Sequence, residues 1–169
     1  MTILRHRSNI IPMKSRGIIW LISETRQMAN NFIMQELKKH GITELVPSHG
    51  NILINLFQNP EMTMSEISKK INRKCNTVTT LINKLVNLDY IQKNTDSSDQ
   101  RITRISLTIK GKAFEKTFRK ISDKLMKITY LGFTEQEKKE LSNSLIKINK
   151  NFTEYKNYQA NQANIENKT

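Results

Sequence analysis

Residues 75–108 read CNTVTTLINKLVNLDYIQKNTDSSDQRITRISLT, and three patterns follow one another within them. Val78, Leu81, Ile82, Leu85 and Leu88 recur at helical spacing and give one apolar stripe over residues 75–88. Asn76, Thr79, Thr80, Asn83, Lys84 and Asn87 cover the other side, which holds hydrogen-bonding side chains of short to medium reach and no acid. Tyr90-Ile91-Gln92-Lys93 then predicts a short strand, residues 94–101 a polar tip, and Arg104–Leu107 the return strand, with Ile105 and Leu107 on one parity and Arg104 and Ser106 on the other. Asp99 stands two residues before Arg101 on that tip. A hairpin that exposes a guanidinium there is a probe for something anionic.

Upstream, Thr63-Met64-Ser65-Glu66 is a capping box, in which Thr63 bonds the backbone three residues on and Glu66 reaches back. It opens a short helix with Ile67 and Ile71 inward. A tight Asn72-Arg73-Lys74 connection joins that helix to the next, so the pair reads as a helix-turn-helix whose second helix can lie in a DNA major groove. The hairpin that follows directly is a wing.

Long helices flank this unit. Residues 16–40 carry Leu21, Ile22, Thr25, Met28, Ala29, Phe32 and Ile33 at helical spacing, with Gly41 placed to cap the end. Pro47 and Ser48 open a helix with Ile52, Leu53, Leu56 and Phe57, and Asn59-Pro60 closes it. Helical periodicity resumes with Phe114, Phe118, Ile121, Leu125 and Ile128. Thr134 to Glu137 is a second capping box. Leu141, Leu145, Ile148, Phe152 and Tyr155 follow at spacings of 4, 3, 4 and 3, a seam that calls for a partner helix. The tail from residue 157 has little to bury and is expected to fray. The fold class expected is mainly α with a small β-wing. A winged helix-turn-helix at 46–111 would sit between dimerisation segments at 1–45 and 112–169, and the terminal seams would pack on a second copy.

The net charge of +13 favours an anionic partner, nucleic acid ahead of a membrane surface. The excess is spread evenly, +4 over residues 1–59, +4 over 60–111 and +5 over 112–169, so charge alone points to no face. One cysteine excludes an intrachain disulfide framework and fits a reducing cytoplasm. No apolar run approaches the roughly 20 residues of a membrane span, and residues 1–14 lack the apolar core of a signal peptide. No phosphate-binding glycine loop, nucleophile elbow or motif-placed carboxylate pair marks an enzyme. No cofactor is implied.

Residues 46–111 resemble the winged helix-turn-helix of the MarR family of bacterial transcription regulators. The matching pieces are MTMSEISKKI, NTVTTLINKLVNLDYIQK and DQRITRISLTIKG. The last fits the family's wing signature through Asp99, Arg101, Leu107, Thr108 and Gly111. The resemblance implies a homodimer, read here as a repressor, on inverted-repeat double-stranded DNA, with recognition helices in successive major grooves and each wing in a flanking minor groove. Arg101 is then the minor-groove residue, oriented by Asp99, with Arg104 behind it on the wing. Asn76, Thr77, Thr79, Thr80, Asn83 and Lys84 divide the base and phosphate contacts, and Thr63, Arg73 and Lys74 add further phosphate contacts. Asn pairs well with adenine, so an A·T-rich operator is expected. The turn departs from the family's pattern. Asn72 replaces the usual glycine and tolerates the left-handed conformation, whereas Lys74 supplies no side-chain acceptor cap.

Relatives often bind small anionic or aromatic molecules between the dimer helices and the winged unit. Trp20, Phe32, His40 and His49 are the candidates for such an effector pocket. Cys75, beside Arg73 and Lys74 at the recognition-helix start, is a candidate redox site. Its competing reading is a passive surface thiol. His6, His40 and His49 are the only histidines, and none lies after residue 49 to complete a site like that of the family's zinc sensors. Glu44 with His40 and His49 offers three ligands, against the competing reading of helix-end polar residues. Two other functions stay open: a winged-helix protein-interaction module with nonspecific nucleic-acid binding, and a basic protein of membrane surfaces.

Overall fold

A computed structural model describes residues 17–95 and 103–166. The elements in order are α1 (Ile18–Lys39), α2 (Pro47–Gln58), β1 (Glu61–Thr63), α3 (Met64–Lys70), α4 (Cys75–Asn87), β2 (Ile91–Thr95), β3 (Thr103–Leu107), α5 (Ile109–Thr129) and α6 (Glu135–Glu166). The chain divides into two compact units, one reaching Leu125 and one beginning at Met126.

The first unit contains the winged helix-turn-helix. β3 lies between β1 and β2, antiparallel to both, with Met62 opposite Ile105 and Ile91 opposite Leu107. Val78, Ile82 and Leu85 of α4, Ile52 and Leu53 of α2, Ile67 of α3 and Ile105 of β3 are fully buried together. Burying one such side chain contributes roughly 1.5–3 kcal/mol, so this cluster fixes the pose of α4. The flanking helices enter the same core through Leu37 of α1 and through Phe114 and Ile121 of α5. Tyr90, Phe114, Phe118 and Phe57 make a chain of edge-to-face rings with centroids 5.3, 6.2 and 5.2 Å apart. Glu36 of α1 is buried and accepts from Lys124 of α5 at 2.6 Å and from Lys39 at 2.5 Å. These two ammonium groups, Lys124 first, lower the Glu36 pKa to about 2.

In the second unit, Thr134 and Glu137 form the expected capping box, with the Thr134 N–H donating to Glu137 at 2.8 Å. That bond, with the Thr134 hydroxyl's, holds the Glu137 carboxyl below the usual range. The Leu141–Tyr155 seam is present on α6, with Phe152 62% and Tyr155 61% exposed.

One element is unexpected and one expectation needs correction. β1 occupies residues for which the sequence indicates no strand. Its three residues are too few to show a period, and only the long-range pairing with β3 makes them a strand. The tail does not fray at residue 157, because α6 continues to Glu166. Gln159 donates to the Tyr155 hydroxyl and Gln162 to that of Tyr158, each one turn back, which supports the helix there without burial.

Candidate nucleic-acid interface

The interface is built on α4, whose inner face is locked into the core. Asn76, Thr77, Thr80, Asn83 and Lys84 are exposed on its outer face, and Thr79 is half-buried. The Thr79 and Thr80 hydroxyls donate to the carbonyls of Cys75 and Asn76, at 2.9 and 3.1 Å. Each threonine side chain also carries a methyl group beside that hydroxyl. A methyl group suits apolar contact with thymine. The side-chain oxygen of Asn83 accepts from the Lys93 ammonium of β2 at 2.7 Å. This bond joins the wing to the middle of α4.

The turn before α4 behaves as its residue types dictate. Asn72 has φ 50°, the left-handed region that asparagine tolerates. Lys74 is the N-cap and makes no side-chain cap bond. Arg73, Lys74 and Cys75 are exposed there, at the positive end of the helix dipole. The Cys75 thiol donates to the Ser68 hydroxyl at 3.6 Å.

Thr63 caps α3 as expected. Its N–H and hydroxyl both donate to Glu66, at 2.7 and 2.9 Å, and these bonds, with Arg104's charge as a lesser cause, hold the Glu66 carboxyl below its ordinary pKa of 4.5. The Thr63 hydroxyl proton is therefore committed within the protein. Arg104 is half-buried on β3, between Thr63 of β1 and Asn94 of β2. Asp99 and Arg101 lie outside the described residues.

The four candidate effector residues are not brought together around a cavity. An apolar cavity of ≈200 Å³ opens between α1, α2 and α5, walled by Ile33, Leu37, Ile54, Phe114, Phe118 and Leu125 among others. Trp20, Phe32, His40 and His49 are not among its lining residues. Trp20 and His40 are exposed and Phe32 is half-buried. His49 is buried and serves as a cap, its Nδ1 accepting from the Val46 N–H at 3.1 Å. Burial first, then the charge of Lys84, holds its pKa below 6.5.

Sequence reasoning passed over Lys93 and Ser68. In the sequence Lys93 falls on a strand, and no pattern there shows that its side chain crosses to Asn83. The Ser68 hydroxyl donates to the carbonyl of Arg73 at 2.5 Å, a contact that exists only once Asn72 has turned the chain back. A serine in the last turn of a short helix, a few residues before a tight turn, was the available signal.

The sequence profile of the MarR family matches residues 45–103. The chain is 27% identical over 99 residues to the HTH-type transcriptional regulator YybA of Bacillus subtilis, covering 59% of this chain and 66% of YybA. It is 29% identical over 105 residues to the HTH-type transcriptional regulator SarZ of Staphylococcus aureus, covering 61% of this chain and 70% of SarZ. The matched stretch thus spans about two thirds of those relatives' own length. In fold it is similar to the S. aureus MepR–DNA complex, with a TM-score of 0.71 and 21% identity, over 80% of this chain and 96% of that one.

Proposed function

We propose that this chain, which belongs to the MarR family of transcription regulators, is a homodimeric repressor that reads an inverted-repeat operator. The family's members are regulators and not enzymes. One observation carries the reading. Inside the residues matched to the family, α4 presents five exposed, acid-free side chains over a fully buried Val78-Ile82-Leu85 stripe, and Lys93 ties it to the wing. Such a face can enter a major groove without repelling phosphate. Asn76, Thr77, Thr79 and Thr80 are proposed to meet base edges, with Lys84, Arg73 and Lys74 on phosphate. The wing carrying Arg101 would reach the minor groove.

Dimerisation is supported by apolar surface that a lone chain leaves in water. Ile18 and Ile19 in the first turn of α1 are 54% and 56% exposed, and α6 carries its apolar seam. Exposed apolar surface of this kind marks an interface. The regulator is placed in the cytoplasm, where its DNA would be. Among the described residues no helix is long and apolar enough to cross a membrane. The cavity between α1, α2 and α5 is the proposed seat of a small-molecule effector. Its walls include Phe114 and Phe118, which lead through Tyr90 to the end of α4.

Selection of bound duplexes from a random-sequence pool tests this function. Enrichment of an inverted repeat whose half-sites are centred about one helical turn apart, roughly 10 bp, is expected. Recovery of no common sequence would refute it.

A further inference from the structure

Helix α4 starts without a side-chain cap of its own, yet the turn that delivers it is tightly closed. The Asn72 N–H donates to the Lys69 carbonyl at 3.2 Å and the Arg73 N–H to the Ser68 carbonyl at 3.1 Å. These are the two bonds of a Schellman motif, with Asn72 in the place that glycine usually fills. Ser68 adds a third bond through its side chain, donating to the Arg73 carbonyl at 2.5 Å. One residue therefore holds both the amide and the carbonyl of Arg73. The same hydroxyl oxygen accepts from the Cys75 thiol at 3.6 Å. Ser68 thus grips the chain on both sides of Lys74, the N-cap.

The geometry points to Ser68 as a positioning residue for DNA reading, setting the direction in which α4 leaves the turn. This inference rests on the DNA-binding function proposed above. Asn83 lies eight residues beyond Cys75, which is about 12 Å along a helix axis. A tilt of about 10° at the turn would displace it by about 2 Å, enough to break a base-edge hydrogen bond. Ser68 is not itself proposed to meet DNA, and it holds the main chain of Arg73, whose side chain is proposed to reach phosphate. It acts through Arg73 and Cys75.

The test uses the full chain as wild type, Ser68→Ala and Ser68→Thr. Affinity is measured by fluorescence anisotropy on the selected duplex and on a scrambled one. The solvent reactivity of Cys75, the single cysteine, is followed with a thiol-labelling reagent in the absence of DNA. Ser68→Ala is expected to lose about fivefold in affinity for the selected duplex, the size of one hydrogen bond, and to keep its affinity for the scrambled one. Cys75 labelling rises severalfold, and Ser68→Thr restores both values. An unchanged labelling rate overturns the clamp. Faster labelling with unchanged discrimination overturns its role in reading. Equal wild-type affinity for both duplexes overturns the DNA-binding premise, and with it the role, while labelling still judges the clamp separately. Should Ser68→Ala fail to fold, amide exchange in the wild type decides, because fast exchange at Arg73 would overturn the clamp.

Discussion

The Lys93 ammonium donates to Asn83 Oδ1 at 2.7 Å, so the first strand of the wing is bonded to the outer face of α4. Both side chains are exposed, and a bond in water contributes less than about 1 kcal/mol to folding. Its consequence lies in geometry, since it sets where the wing stands beside α4. Lys93→Ala and Asn83→Ala should each leave thermal unfolding nearly unchanged and weaken operator binding severalfold. In a double-mutant cycle on DNA affinity the pair should be non-additive. Full additivity would show that the bond does not join wing and helix.

Gly111 is required by contact at the start of α5. A Cβ there would lie 2.0 Å from the Tyr90 carbonyl oxygen and 3.1 Å from Leu107 Cδ2. Gly111→Ala therefore forces α5 away from Tyr90, whose ring packs on Phe114. Overpacking of this kind costs about 1–3 kcal/mol or more. Urea unfolding should report a loss of at least about 2 kcal/mol, and an unchanged midpoint would contradict the packing described.

His49 gives the fold an acid-sensitive joint. Its Nδ1 must stay unprotonated to accept from Val46, and burial with the Lys84 charge lowers its pKa from 6.5. The unfolded chain then binds the proton more readily than the folded one, so stability is full above pH 6.5 and falls as pH drops below it. His49→Gln keeps a neutral acceptor and should flatten the unfolding midpoint through that window. A wild-type midpoint that rises on acidification from pH 7 to 5.5 would have the wrong sign.

Glu36 acts in a lower window. Its carboxyl is held to about pKa 2, below its ordinary 4.5, by Lys124 and then Lys39, and the Lys124 bond joins α1 to α5. Stability from this pair is present above pH 4.5 and is lost as the pH falls toward 2. Glu36→Gln should be destabilising at pH 7, and its deficit should shrink as the medium is acidified. A deficit that stayed constant to pH 2.5 would contradict the pairing.

The helix-turn-helix and wing were legible because each depends on local signals. Thr63 and Glu66 mark the start of α3, Val78 to Leu85 mark the buried face of α4, and Asn72 is one of the few residues that suit the left-handed turn. What escaped was set by distance along the chain. Strand β1 exists only through Met62 facing Ile105, the Ser68 bond only through the turn, and the Lys93 bond only through the wing's fold onto α4. His49 is an effector candidate only through the family's habit of binding small molecules, and the sequence does not show that its ring turns back to cap Val46. The length of α6 escaped because the Tyr155–Gln159 and Tyr158–Gln162 pairs leave no apolar periodicity to read in the sequence.

Sequence-specific DNA reading by α4 and the wing, as proposed, is open to one direct comparison. The most direct measurement is anisotropy of the wild-type chain on a duplex from immediately upstream of its own gene, against a scrambled duplex of equal length, at two salt concentrations. Discrimination of at least about 10³-fold is expected. Equal affinity for both duplexes, with a steep salt slope, would contradict it and describe a nonspecific binder of phosphate.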